Sequence, residues 1–180
     1  GVDSALYSQS RANYAILVDS STSRLSVRDL QGFEGSDLLT NVERLVFSDK
    51  ALAFDVAGNA GKAFRLYQAA FNRTPDLPGL GFQIKAMDDG SSLNTLAQNF
   101  INSPEFARTY GTVDNTGFVT LLYQNVLHRA PDSGGLAFHT GNLASSATTR
   151  ANTLAAFSES PENQVALAGV IGNVVTYMPV

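Results

Sequence analysis

Two arginine–aspartate pairs with the same spacing are the first side chains in this sequence whose types suggest chemistry. Arg73 precedes Asp76 by three residues, and Arg129 precedes Asp132 by the same interval. A guanidinium binds acidic groups through paired hydrogen bonds, and a carboxylate can bind a metal ion. The same residues have a structural interpretation, in which aspartate caps a helix and arginine ties neighbouring helices together. We favour the structural interpretation because it explains the spacing without a ligand.

Both pairs belong to a longer repeated phrase. Residues 67–82 and residues 123–138 share the pattern Tyr-Gln-x-x-x-x-Arg-x-Pro-Asp-x-x-Gly-Leu-x-Phe at an interval of 56 residues. When a sequence motif of this length is repeated within a chain, the structural unit that contains it is usually repeated as well. The sequence therefore predicts two copies of one unit, at residues 58–114 and residues 115–180.

A Ser-Pro-Glu sequence also occurs once in each copy. Ser103 and Ser160 each precede a proline, and Glu105 and Glu162 follow it. Serine is a preferred helix N-cap, proline is favoured at the first helical position, and glutamate is stabilised at the positive end of a helix. The sequence therefore predicts two helix starts, with structural roles for both serines and both glutamates.

One segment near the N-terminus groups three carboxylates. Asp29, Glu34 and Asp37 lie within nine residues, together with Gly32 and Gly35. Hard cations bind clustered oxygen ligands, so this loop is a candidate calcium site. The spacing does not match an EF-hand, and a polar hairpin loop with glycines at positive φ would have the same composition. Both interpretations stay open, with calcium as a possible cofactor and none required.

Residues with catalytic potential are few. The two histidines, His128 and His139, form no His-x-x-x-His zinc pair, and the sequence has neither a Gly-x-Ser-x-Gly elbow nor a phosphate loop. In the first copy, Asn72 and Gln83 stand at the equivalent positions. Exchange among Asn, Gln and His is typical of polar surface positions, so we expect no enzyme activity.

Composition excludes several classes of partner. The chain has 180 residues, 44% hydrophobic and 16% charged, with a net charge of −4 and no cysteine. No lysine or arginine run is available to neutralise a phosphate backbone, so we expect no nucleic-acid partner. No stretch of about 18 apolar residues occurs, so we expect no membrane span. The absence of cysteine excludes disulfides, thiolate zinc sites and cysteine nucleophiles.

The periodicity of the sequence predicts an α+β fold that changes character near residues 55–60. Residues 1–57 form a small antiparallel β segment, because β-branched runs alternate there with polar turns. From Gly58 onward, apolar residues recur at intervals of three and four, which predicts a mainly helical domain at residues 58–180. Whether its two copies stack or form one joint bundle is left open. The predicted strands are residues 14–18, 24–28, 42–47 and 51–54, with a polar turn at residues 19–23.

Aromatic residues at helical intervals predict the core of both copies. Tyr7, Tyr110 and Tyr177 stand outside this pattern, so they are the residues that we expect to be exposed for sugar stacking. The predicted core aromatics are Phe64, Tyr67, Phe71, Phe82, Phe100 and Phe106 in the first copy and Phe118, Tyr123, Phe138 and Phe157 in the second.

The combination of Leu-Tyr-Gln, Arg-x-Pro-Asp-x-x-Gly-Leu and Phe-x-x-Ser-Pro-Glu resembles the tandem bacterial helical module known as domain of unknown function 4214. The segment before it is similar to the closing β segment of haemolysin-type (RTX) secreted proteins. The Gly-Gly-x-Gly-x-Asp calcium repeats of that context do not occur in this sequence, so we expect any such array upstream. The resemblance covers residues 58–163 for the helical module and residues 14–55 for the β segment.

The resemblance implies the C-terminal part of a Gram-negative exoprotein that is exported by the type I secretion machinery. We therefore expect a noncatalytic structural or interaction module, secreted or at the cell surface, of the kind found in adhesins and S-layer-like proteins. Its expected partner is a cell-surface or extracellular polysaccharide or protein. Two alternatives stay open: a carbohydrate-binding module for surface polysaccharide, and a calcium-dependent secretion and folding module.

Overall fold

The computed structural model describes residues 1–19, 21–22 and 24–180. Ser20 and Ser23, two residues of the predicted turn, lie outside the described residues. The described part of the chain contains seven strands, one 3₁₀ helix (Arg11–Asn13) and eight α-helices, so the predicted α+β, mainly helical class is confirmed. The strands are β1 (Ser4–Leu6), β2 (Tyr14–Asp19), β3 (Arg24–Asp29), β4 (Ser36–Thr40), β5 (Arg44–Val46), β6 (Ala51–Ala53) and β7 (Val175–Tyr177). The helices are α1 (Asn59–Phe71), α2 (Leu77–Asp88), α3 (Leu93–Ile101), α4 (Pro104–Tyr110), α5 (Asn115–Val126), α6 (Ser133–Ala144), α7 (Arg150–Ser158) and α8 (Pro161–Ile171).

The two predicted hairpins are both present. Strands β2 and β3 pair antiparallel with Ile16 opposite Val27, and β4 extends them into a three-stranded sheet in the order β2-β3-β4. Strands β5 and β6 pair antiparallel with Leu45 opposite Leu52. Alternation along β3 buries Leu25 and Val27 on one face of the sheet, as the period of two requires. Strands β1, β4 and β7 were not predicted.

Strand β7 brings the end of the chain back to its beginning. The second sheet has the order β1-β5-β6-β7, in which β1 pairs parallel to β5 and the other pairs are antiparallel. Beyond β7, the backbone N–H of Met178 donates to the carbonyl of Leu77 at 3.0 Å, which attaches the tail to α2. One sheet therefore draws on both sides of the predicted boundary at residue 57, and the division into two domains stays a prediction.

The eight helices form one joint bundle. Helix α1 packs against helices of both copies, including α2 and α3 of the first and α5, α7 and α8 of the second, and α3 packs against α7. A single apolar core runs through both copies and includes Ala51 and Ala53 of β6 and Val175 of β7. No described helix is long and apolar enough to cross a membrane. The two copies therefore pack together around one core and do not stack as separate units.

Two of the predicted core aromatics lie on the surface. Phe82 of α2 is 62% exposed and Phe138 of α6 is 64% exposed, whereas the other eight are buried. The buried face of α2 is formed by Leu80, Ile84 and Met87 at intervals of four and three, so residue 82 points to the opposite side. The prediction of core positions for Phe82 and Phe138 is therefore wrong.

The three tyrosines expected at the surface are buried instead. Tyr7 packs on Phe47 with ring centres 5.3 Å apart. Tyr110 stacks on Phe106 at 4.2 Å, and its hydroxyl donates to a backbone carbonyl of α1. Tyr177 lies on the inner face of β7. The expectation of exposure is wrong because these tyrosines belong to the apolar cores: Tyr7 follows β1, Tyr110 ends α4 and Tyr177 ends β7.

We expect Gly81 to be required for the attachment of the C-terminal segment. A Cβ at Gly81 would lie 1.7 Å from the carbonyl oxygen of Met178. Gly81→Ala should therefore lower the free energy of unfolding by about 1–3 kcal/mol, measured by urea denaturation. The matched control is Gly141→Ala on α6, where a Cβ would meet no described atom within 4 Å. That change should raise stability by about 0.5–1 kcal/mol, and a shift of both variants in the same direction would contradict the packing of the tail.

Candidate functional site

The first Arg-x-Pro-Asp corner is a network of internal hydrogen bonds. The Asp76 carboxylate caps α2 by accepting from the Gly79 N–H at 2.8 Å, and its second oxygen accepts from the Tyr67 hydroxyl at 2.9 Å. The Arg73 guanidinium donates to the Tyr67 oxygen at 2.8 Å and to the Glu105 carboxylate at 2.8 Å. These contacts join the C-terminal end of α1 to the first turns of α2 and α4.

The second corner repeats the aspartate cap and the arginine–glutamate ion pair of the first. Asp132 caps α6 by accepting from the Gly135 N–H at 2.8 Å. Arg129 donates two hydrogen bonds to Glu162, at 2.7 and 3.0 Å, in the paired geometry that guanidinium and carboxylate favour. The guanidinium carbon of Arg129 also lies 4.8 Å from the ring centre of Tyr123. The corresponding distance between Arg73 and Tyr67 in the first corner is 5.0 Å. Both corners therefore connect helices within their own copy.

The Ser-Pro-Glu segments also occupy equivalent positions. Ser103 caps α4 by accepting from the Phe106 N–H at 3.1 Å, and Ser160 caps α8 by accepting from the Asn163 N–H at 3.2 Å. In each case the proline that follows the serine is the first helical residue. The glutamate after it forms the ion pair with the arginine of the corner. The cap and the ion pair thus fix the same helix end in both copies.

The electrostatics of the corners favour their charged, internally paired state. The Gly79 N–H and the Tyr67 hydroxyl lower the pKa of Asp76, and the Gly135 N–H lowers that of Asp132. The hydrogen bonds between Arg129 and Glu162 raise the pKa of the arginine and lower that of the glutamate. In both corners the charged side chains are thus partnered by other residues of the chain.

Asp29, the first residue of the candidate calcium loop, closes its own loop. Its carboxylate is buried and accepts the backbone N–H groups of Gln31, Phe33 and Glu34 at 2.7–2.8 Å. Burial opposes the charge, but the N–H groups outweigh it, so the pKa of Asp29 is lowered. These hydrogen bonds from backbone N–H groups hold the carboxylate inside its own loop.

The other two carboxylates of that loop are directed at different partners. Glu34 accepts from the hydroxyl of Tyr14 and from the Ser8 N–H, and Asp37 accepts from the hydroxyl of Tyr7 at 3.2 Å. Throughout the described residues, no group of three or more His, Cys, Asp or Glu side chains is arranged to hold a metal ion. The structure therefore directs Asp29, Glu34 and Asp37 at separate hydrogen-bond partners, and calcium binding by this loop stays a prediction.

The two histidines occupy different kinds of position in the helical bundle. His128 is exposed and has φ 53°, and the equivalent Asn72 has φ 50° at the end of α1. His139 packs against the ring of Phe157 at 4.9 Å, and burial lowers its pKa. Among the described residues, neither imidazole makes a hydrogen bond or an ion pair. His128 therefore belongs to the turn that ends α5, and His139 packs within α6 against the second copy's core.

Sequence reasoning missed a buried ion pair that joins the two copies. Arg65 of α1 is 5% exposed and donates two hydrogen bonds to Glu159, at 2.7 and 2.8 Å. A signal for it existed, because Arg65 lies among the buried apolar positions of α1 and is replaced by Leu121 in the second copy. An arginine on an apolar helix face requires a buried partner.

Sequence reasoning also missed a cleft between the strands and the start of the helical region. It has a volume of about 500 Å³, and its walls come from the ends of β2 and β3, the β4–β5 connection, the segment between β6 and α1, and the residue after α8's terminal glycine. These segments are separated widely along the chain, so no local pattern could have indicated the cleft.

We expect the two aspartate caps to make stability fall at acid pH. The folded-state pKa of Asp76 and Asp132 is lowered, so their contribution is complete above about pH 5 and is lost as the pH falls through the folded-state values. Asn at both positions keeps a capping oxygen but cannot titrate. The double variant should therefore lose less of its thermal midpoint than the parent between pH 7 and pH 3. Equal losses in the two proteins would contradict the charged role of the caps.

The comparisons with known proteins agree with part of the predicted resemblance. No curated protein and no solved structure matches the chain at a significant level. Residues 97–167, which run from α3 into α8 and span less than half of the chain, match the protein family described as a domain of unknown function, DUF4214.

Proposed function

We propose that this chain is a noncatalytic structural or interaction module of an exported bacterial protein. In this proposal its helical part is a tandem of two DUF4214-type units behind an RTX-like β segment, and it acts at the cell surface or outside the cell. Its partner is a surface polysaccharide or protein. The observation that carries the proposal is that the repeated charged side chains are partnered internally, whereas a repeated aromatic side chain is exposed in both copies.

The charged corners support a structural role for the repeated phrase. An arginine or carboxylate that serves a substrate needs free donors or acceptors that face a cavity. Here Arg73 and Arg129 are committed to Glu105 and Glu162, and both aspartates are committed to helix caps. The charged side chains of the repeated motif therefore support a role in building the helical bundle.

The exposed phenylalanines support an interaction role. Phe82 and Phe138 lie 56 residues apart, at the same position of α2 and α6. Burying a phenylalanine side chain is worth about 1.5–3 kcal/mol, so two equivalent exposed rings offer that energy to a partner. Aromatic side chains are enriched at interfaces, and charged residues are depleted at their centres.

Helix α6 has two further features of an interaction surface besides its exposed phenylalanine. Its sequence, Ser-Gly-Gly-Leu-Ala-Phe-His-Thr-Gly-Asn-Leu-Ala, contains no charged residue. All twelve residues are described, and none of them is fully buried in the chain. A half-exposed helix without charges is typical of a surface that another molecule covers.

The proposal is tested with the double variant Phe82→Gln and Phe138→Gln. Binding to cell-envelope and exopolysaccharide preparations of the source bacterium is measured by co-sedimentation. We expect the double variant to bind at least about tenfold more weakly than the parent, because exposed aromatic residues contribute a large share of interface energy. Both changes are on the surface, so the free energy of unfolding should stay within about 0.5 kcal/mol per site.

The matched control is Val165→Gln on α8. Val165 is 77% exposed, so this change also replaces an exposed apolar side chain by glutamine, but it leaves both phenylalanines in place. The control should bind like the parent. Unchanged binding by the double variant would contradict the proposed surface. Turnover of a glycan or peptide library that disappears with His128→Ala or His139→Ala would contradict the noncatalytic role.

A further inference from the structure

The cleft between the strands and the first helix has the size of a ligand site. Its volume of about 500 Å³ falls within the range of about 300–1,000 Å³ that is usual for small-molecule pockets. Such pockets combine an apolar floor with a few polar groups that fix the orientation of the ligand. The cleft has both parts, contributed by different segments of the chain.

The floor is apolar. Leu25 of β3 is buried, and Val42 and Phe54 are half-buried beside it and pack against the small core of the sheets. Phe54 brings an aromatic ring to the cleft. Apolar C–H groups of a ligand would be removed from water against this floor, and an aromatic ring is a favourable surface for them.

The rim carries amides with unused hydrogen-bonding capacity. Asn41 follows β4 and Asn173 follows the end of α8, and both are exposed. Among the described residues, neither side chain makes a hydrogen bond. A primary amide offers two N–H donors and one carbonyl acceptor, so each can bind both oxygens of a vicinal diol or a donor and an acceptor of one ligand.

The charged groups of the rim are all acidic. Asp19 is kept ionised because hydrogen bonds from Ser21 and Thr22 lower its pKa to about 2. Among the described residues, the Glu43 carboxylate accepts only the Asp3 N–H and does so through Oε2, so its other oxygen can accept from a ligand. The described lining includes no lysine or arginine. An acceptor-rich, negative rim favours ligands that donate hydrogen bonds and disfavours anions.

We propose that this cleft binds a sugar residue that carries no acidic group, that is, a neutral or an amino sugar of a polysaccharide. The hydroxyl or ammonium groups donate to the Glu43 carboxylate and exchange hydrogen bonds with the amides of Asn41 and Asn173, while the C–H face of the ring rests on Phe54 and Val42. A uronic acid is rejected because its carboxylate would face carboxylates. The inference rests on the proposed interaction role, but it uses a surface distinct from Phe82 and Phe138.

The experiment titrates the full chain with three oligosaccharide series: neutral gluco-oligosaccharides, chitosan oligosaccharides and alginate oligosaccharides. We expect binding of the neutral or the chitosan series, measured by calorimetry, and no binding of alginate. The double variant Asn41→Gly and Asn173→Ala should bind roughly tenfold more weakly, since it removes the hydrogen bonds of both amides. Glycine is chosen at position 41 because Asn41 has φ 57°.

The matched control is Asn94→Ala on α3, an exposed asparagine outside the cleft, which should bind like the parent. Absence of binding to all three series, preference for alginate, or parent-like affinity of the double variant would each overturn the inference. The proposed function has a separate readout. If envelope binding depends on Phe82 and Phe138 while no sugar enters the cleft, the inference fails and the proposed function stands. If sugar binding depends on Asn41 and Asn173 but envelope binding does not depend on the phenylalanines, the inference stands and the proposed phenylalanine surface fails.

Discussion

The buried ion pair between Arg65 and Glu159 is the contact on which the rest of the architecture depends. Arg65 lies on the central helix α1, and its guanidinium is almost completely removed from water. It donates to both oxygens of Glu159, which ends α7, and to the carbonyl of Val56, which precedes α1, at 2.8 Å. A desolvated guanidinium is tolerated only with such partners. One side chain therefore fixes the first copy, the second copy and the junction with the sheet relative to one another.

This contact breaks the symmetry of an otherwise repeated design. The second copy has Leu121 at the position of Arg65, and the first copy has Asn102 at the position of Glu159, so the pair can form only between the copies and in one order. The corners that recur in both copies act within each copy and lie nearer the surface. The chain is thus one bundle with a defined arrangement, in which charges inside the repeats build the scaffold. The surfaces that we propose for recognition are the uncharged helix faces and the cleft beside the sheets.

Much of the scaffold was predictable because its signals are local. Alternating apolar residues indicated the hairpins, and Asp76 or Ser103 followed by helical periodicity indicated helix starts. Pairing of β7 with β6 was not predictable, since three residues at the end of the chain meet a strand more than a hundred residues away. Composition alone could not distinguish carboxylates that bind backbone N–H groups, such as Asp29, from carboxylates that bind calcium. Periodicity marked Phe82 as helical, but it did not reveal which side of the helix would be covered.

The most direct measurement compares two glutamate variants by urea unfolding. Glu159→Ala removes the partner of the buried Arg65, and Glu162→Ala removes the partner of the exposed Arg129 by the same chemical change. We expect Glu159→Ala to lower the free energy of unfolding by about 2–4 kcal/mol and Glu162→Ala by less than about 1 kcal/mol. Equal losses for the two variants would contradict the central role of the ion pair between the copies.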